Sequence, residues 1–169
     1  MRRPPGSTAG PRKAPPPSAY ALCLRWLTVR DRTEVELRRK LGQKELAPHE
    51  IDAAIERVRG LGYLDDARFA QVRADGLLAR GRLGPRGVAA RLAAAGLSRE
   101  QVAAAIRQAM EGRSELALAR AALVKKHPAA VGTSDAKLRS KAVRFLLGRG
   151  FSADAAGKAL DLDLSGVDE

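Results

Sequence analysis

Five apolar positions recur three times along this chain in the same order of steps. Leu37, Leu41, Leu46, Ile51 and Ile55 are spaced by four, five, five and four residues; Val88, Leu92, Leu97, Val102 and Ile106 repeat those steps, and so do Ala142, Leu146, Phe151, Ala156 and Leu160. A step of four returns to the same face of a helix, and a step of five across a turn residue carries the pattern into the next helix. The turn residues align too, Gly96-Leu97-Ser98 with Gly150-Phe151-Ser152. From Leu41 to Leu92 is 51 residues and from Leu92 to Leu146 is 54. A helical pattern returning at such intervals predicts an all-α chain of three tandem three-helix, helix-turn-helix-like repeats, in which each unit leans on its neighbours and the whole forms an elongated, curved molecule.

The middle copy carries the sharpest local signals. Asp65 and Asp66 stand where a helix should begin, because a carboxylate there accepts from unpaired first-turn N–H groups and sits near the positive end of the helix dipole. Phe69, Val72, Gly76 and Leu77 then recur at helical steps and read as the inward face, with Arg68, Arg73 and Arg80 leaving it. Gly81 and Gly84 break the pattern, and Pro85 opens the next helix, where its missing N–H costs nothing. Val88 and Leu92 point inward from that helix and Gly96 closes it. Ser98 and Gln101 form a capping box for the third helix, with Val102 and Ile106 on its face.

The flanking copies follow the same logic. Leu22, Trp26 and Val29 predict an apolar face on the first helix, and Cys23 beside them reads as a small core residue. Thr33 and Glu36 make another capping box, followed by Leu37 and Leu41. The four-apart pairs Glu34–Arg38 and Glu36–Lys40 are each expected to add roughly 0.2–0.5 kcal/mol. Pro48 opens a helix with Ile51, Ile55 and Val58 inward, ended by Gly60 and Gly62. In the third copy, Ser114 starts a helix with Leu116, Ala119 and Leu123 inward, and the chain pauses at His127-Pro128. A second helix starts near Asp135, with Leu138, Ala142, Phe145 and Leu146 opposite Lys137, Lys141 and Arg144. The last helix looks weakest, since Ala155, Ala156 and Gly157 offer little to bury. The expected division is therefore a disordered basic, Pro-rich arm (1–18), repeats at 19–62, 63–112 and 113–161, and an acidic tail (162–169).

Charge narrows the function. Against 19 Asp and Glu stand 31 Lys and Arg, a formal net charge of +12, which points to a polyanion or an acidic protein surface as partner. Aromatic residues make up only 4% of the chain, too few for a single-strand binder built on stacking platforms. One cysteine rules out an internal disulfide framework, and two widely separated histidines without cysteine partners do not suggest a metal site. There is no phosphate-binding loop, nucleophile elbow or metal-ligand spacing, so neither enzymatic activity nor a cofactor is expected. No apolar run approaches the length of a membrane span, and the N-terminus lacks a signal-peptide core, so a cytoplasmic protein is expected. No coiled-coil seam is visible, and the expectation is a monomer.

The motif Gly62-Tyr63-Leu64-Asp65-Asp66-x-x-Phe69-Ala70, then Arg80-x-x-x-Gly84-Pro85-x-x-Val88-x-x-x-Leu92-x-x-x-Gly96-Leu97, resembles the RecX family of bacterial regulatory proteins. The likeness extends from Ala19 to about Asp161. It departs from the family at Ala89, Ala90, Ala93, Ala94 and Ala95, where basic or bulky residues are common, so the middle repeat presents a smoother face. The resemblance implies a non-catalytic modulator of the RecA recombinase that lies in the groove of the RecA filament on DNA. There it would lower ATP hydrolysis, strand exchange and co-protease activity, or hinder filament growth. On that reading Arg73, Arg80, Arg82, Arg86, Arg91, Lys137, Lys141, Arg144 and Arg149 are the candidate contacts to RecA and to DNA phosphates. The alternative is a DNA-binding protein, either sequence-independent or of helix-turn-helix type with the second helix of a repeat reading a groove.

Overall fold

The computed structural model describes residues 17–161; the basic arm, apart from its last two residues, and the acidic tail fall outside them. Nine α-helices make up the described chain, with a short 3-10 turn at Pro128–Ala130 and no strand among the described residues. The helices are α1 (Ala19–Leu27), α2 (Glu34–Gly42), α3 (Pro48–Gly60), α4 (Asp66–Ala79), α5 (Pro85–Ala94), α6 (Arg99–Ala109), α7 (Glu115–Lys126), α8 (Ala136–Gly148) and α9 (Ala153–Lys158).

Starts and stops follow local chemistry. Hydroxyls of Ser18, Thr33, Ser98, Ser114 and Ser152 each accept an N–H of the helix they precede, and the Asp65 and Asp135 carboxylates do the same for α4 and α8. Helix α3 has no side-chain cap at Ala47. Instead the Glu50 carboxylate accepts from the Ala47 N–H, and Pro48 occupies the first helical position.

Burial divides into three cores. Leu22, Cys23, Leu37, Leu41, Ile55 and Val58 centre the first; Ala70, Ala74, Leu78, Val88, Leu92 and Ala109 the second; Leu123, Ala142, Leu146, Phe151, Ala156 and Leu160 the third. Leu118 of α7 is half-buried against both the second and the third. Each core is closed by three helices of one repeat, so the predicted threefold likeness is present in the packing.

Four expected details differ. Val29 is 77% exposed, because α1 ends at Leu27 and the chain has already turned away. On α4 the buried edge is Ala70, Ala74 and Leu78, while Val72 is 62% exposed and Phe69 and Leu77 are half-buried. The predicted apolar face thus lies about a third of a turn from the true one, and the alanines that fill the core carry too weak an apolar signal to mark it. Leu138 is exposed, at the N-terminal end of α8. Glu36 pairs with Arg30 and Arg32 rather than Lys40, whose ammonium lies over the Trp26 ring. The shortness of α9 matches expectation, yet Ala155 and Ala156 are both buried: small residues let a single turn and a half approach α7 and α8 closely.

The repeats join through the ends of their second helices. At the first junction the Thr33 hydroxyl, in front of α2, donates to the Ala95 carbonyl at the end of α5 (2.6 Å). At the second, the Gly84 and Arg86 N–H groups at the start of α5 donate to the carbonyls of Arg149 and Gly150 at the end of α8 (3.0 and 3.1 Å). At the second junction main-chain N–H groups at one helix start thus meet carbonyls at another helix end, and at both junctions the dipoles run head to tail.

Candidate functional site

The junctions gather the exposed bases. Between the first and second repeats lies a groove of about 590 Å³ that includes Arg73 of α4, Arg80 just past its end, Arg91 of α5 and Arg30 from the α1–α2 loop. Its floor comes from Phe69, Val72 and Leu77, the very stripe that the sequence presents as inward. Two carboxylates also face it: Glu36, held by Arg30 and Arg32 at 3.0 and 3.7 Å, and Asp31, which is exposed. Arg73, Arg80 and Arg91 make no ion pair among the described residues.

A second, smaller groove of about 150 Å³ sits where α4's end meets the third repeat. It brings Arg82 to Arg149 and adds Lys125 and Lys126 from the last turn of α7. Arg149 lies over the Phe145 ring at 5.3 Å, and His127 packs edge-on against the same ring at 4.8 Å. The aromatic ring thus props the guanidinium at the groove wall.

Lys137, Lys141 and Arg144 recur at helical steps on the exposed side of α8 and belong to neither groove. Arg86 stands exposed at the start of α5, its backbone N–H engaged by Gly150. The nine candidate residues therefore fall into two grooves, one helix face and one isolated position. Arg30, Lys125 and Lys126 were not anticipated. Two consecutive lysines closing a helix before His127-Pro128 were the available hint, but lysine in a last turn is also ordinary dipole compensation.

The first repeat engages several of its bases internally. Arg38 bridges Glu34 and Asp52 at 2.6 Å each, and Arg59 reaches both Glu34 and Glu56. Burial alone would raise the Glu34 carboxyl, but the Arg38 and Arg59 guanidiniums outweigh it and hold it below its usual range. In the second and third repeats the ion pairs are sparser: Arg113 with Asp75, Arg139 with Asp161, and Lys158 with Asp154. Among the described residues, unpaired bases gather at the junctions and on α8, while Arg25, Arg39, Lys44, Arg68, Arg99 and Arg107 stand singly elsewhere on the surface.

Asp66 plays a part that its sequence position does not reveal. Its carboxylate accepts the Glu34 N–H at 3.0 Å, so a residue of the second repeat caps the second helix of the first. Burial pushes that carboxyl up, partly offset by the N–H it accepts.

Fold and surface together define an all-helical, three-repeat protein with basic grooves at its joints and no cluster of potential metal ligands among the described residues. Sequence models of the first, second and third three-helix domains of RecX match residues 19–57, 65–106 and 114–160. Regulatory protein RecX of Thermobifida fusca is 33% identical over 168 residues, 98% of this chain and 89% of that protein. Its counterpart in Mycobacterium ulcerans is 31% identical over 166 residues, 96% and 92% of the two. A crystal structure of RecX from Lactobacillus salivarius superposes with a TM-score of 0.75 at 19% identity, covering 84% of this chain and 92% of that one, a likeness of fold. The chain belongs to the RecX family of regulatory proteins.

Proposed function

We propose that this protein binds the RecA filament on DNA and restrains it, lowering ATP hydrolysis, strand exchange and co-protease activity and so modulating recombination, DNA repair and the SOS response. The observation that carries the reading is the concentration of unpaired arginine and lysine at the two repeat junctions and along α8, in a chain whose relatives are regulators. A periodic row of basic sites suits a periodic partner: successive subunits and phosphates of a nucleoprotein filament can engage successive joints. The protein contributes position and charge but no chemistry, and it acts as a cytoplasmic monomer without a cofactor. Among the described residues no helix is long and apolar enough to cross a membrane.

The rival reading, a helix-turn-helix DNA reader, needs the N-terminal end of a second helix free to enter a groove. The starts of α2 and α5 are instead occupied by the neighbouring repeat, and α8 begins with Asp135, a residue that repels phosphate. What fits DNA here is backbone contact through exposed bases.

Co-sedimentation with RecA filaments on single-stranded DNA, alongside a salt titration on naked DNA, tests the reading. Filament binding that outlasts naked-DNA binding as salt rises is expected, because backbone contact alone falls steeply with salt. A sequence-selective footprint on naked duplex would favour the rival.

A further inference from the structure

We propose that the groove between the first and second repeats takes an acidic polypeptide segment with an apolar anchor, and that Gly76 is where that segment's backbone lies against α4. Gly76 sits inside a fourteen-residue helix, where glycine costs about 1 kcal/mol relative to alanine. Nothing inside the protein asks for it. A Cβ built at Gly76 meets no atom within 4 Å; the other helical glycines with such open surroundings, Gly42, Gly60, Gly148 and Gly157, lie in a last turn, whereas a Cβ at Gly84, Gly87, Gly96 or Gly150 collides with a neighbouring repeat. Glycine without an internal neighbour, on the wall of a groove, fits a site approached closely from outside.

The lining states the chemistry of the visitor. Phe69, Val72 and Leu77 form an apolar stripe along α4 that lines the groove; Phe69 and Leu77 are half-buried against the second core, and Val72 is mostly exposed. Arg73, Arg80 and Arg91 surround it without forming an ion pair among the described residues, and with Arg30 they outnumber the two carboxylates of the groove, Asp31 and the already paired Glu36. A phosphate backbone would gain from the arginines and nothing from the apolar floor. Carboxylates flanking an apolar side chain use both, the combination of apolar anchor and arginine that concentrates binding energy at protein interfaces. This inference rests on the filament as partner and names the part of it that is gripped: protein rather than DNA.

The test uses full-length protein and RecA filaments on single-stranded DNA. Gly76→Leu fills the proposed approach while improving helix propensity, and Gly60→Leu, at the exposed end of α3, is the control. Gly76→Leu is expected to weaken co-sedimentation about tenfold or more, the scale of one interface hot spot, with naked-DNA binding unchanged and thermal stability undiminished. Gly60→Leu should bind as wild type. A benzophenone photo-crosslinker placed at Val72 should attach to an acid-containing peptide of RecA. Normal filament binding by Gly76→Leu, or a crosslink to DNA, overturns the proposal. Failure of the wild type to co-sediment would instead overturn the functional reading, and this site with it.

Discussion

Gly96 lies so close to Val35 across the first junction that a Cβ on Gly96 would fall 2.5 Å from the Val35 Cβ. The same position recurs in the third repeat as Gly150, packed against Gly87, and in the first repeat as Glu45. All three take positive φ: +57° at Glu45, +88° at Gly96 and +80° at Gly150. Where a neighbouring helix docks, only glycine fits. At the end of the row no described residue docks in this way, and Glu45 tolerates the left-handed conformation for roughly 1 kcal/mol. The opposite end is closed differently: in the repeat register Leu138 corresponds to Thr33 and Gly84, yet α8 starts earlier, at Ala136, and its extra residues stand where a further repeat would attach. Atypical terminal units are what a stacked array requires.

Gly150→Ala is expected to destabilise the protein by at least about 2 kcal/mol, since it adds both a collision and a strained φ. In a chain of this size that lowers Tm by about 4–8 °C. Glu45→Gly, at the same register without a neighbour, should change stability by less than about 1 kcal/mol. Thermal unfolding of the pair checks the account; equal losses would contradict it.

Thr33 is fully buried, and its hydroxyl serves two helices, accepting from the Glu36 N–H at 3.2 Å and donating to Ala95. Thr33→Val keeps the shape and removes both bonds, for an expected cost of about 1–3 kcal/mol. Thr33→Ser should recover most of it. Denaturant midpoints that place Val level with Ser would show that the hydroxyl does not hold the joint.

The Asp66 carboxyl has its pKa raised by burial, so the folded state disfavours its charge. At neutral pH the ionised form subtracts from stability, and the loss is recovered as pH falls through the raised value. Asp66→Asn keeps an acceptor for the Glu34 N–H without the charge. It should therefore be at least as stable as wild type at pH 7, with the advantage shrinking toward pH 4, while Asp66→Ala is destabilised at both. Glu34 behaves oppositely: with its carboxyl held low, its contribution is present above the usual carboxylate range and is lost as pH falls below it. Stability against pH for the two Asp66 variants checks the sign, and Asn proving as damaging as Ala would refute it.

Reversing charge at Lys137, Lys141 and Arg144 together should weaken inhibition of RecA without altering the fold, because all three are exposed and none forms an ion pair among the described residues. Full inhibition by the triple variant, at wild-type helicity, would remove the α8 face from the contact surface.

Much of the architecture is legible in the sequence because the joints are made of unambiguous residues. Gly96-Leu97-Ser98 and Gly150-Phe151-Ser152 combine a positive-φ stop, a core side chain and a cap, and each does in the fold what its type predicts. Helix α4 is the instructive failure. Its most apolar stripe faces a groove, and its core edge is built of Ala70, Ala74 and Leu78, which periodicity ranks below Phe69, Val72 and Leu77. Charge pointed to the arginines individually. That Arg73, Arg80 and Arg91 converge with Arg30, and Arg82 and Arg149 with Lys125 and Lys126, depends on how the repeats dock, through single bonds between residues far apart in the chain that leave no local pattern.

The most direct measurement of the central claim is RecA ATP hydrolysis on single-stranded DNA as this protein is titrated in. The rate is expected to fall progressively, and the purified protein alone should hydrolyse nothing. A rate that stays constant in a large excess of folded protein would contradict the account.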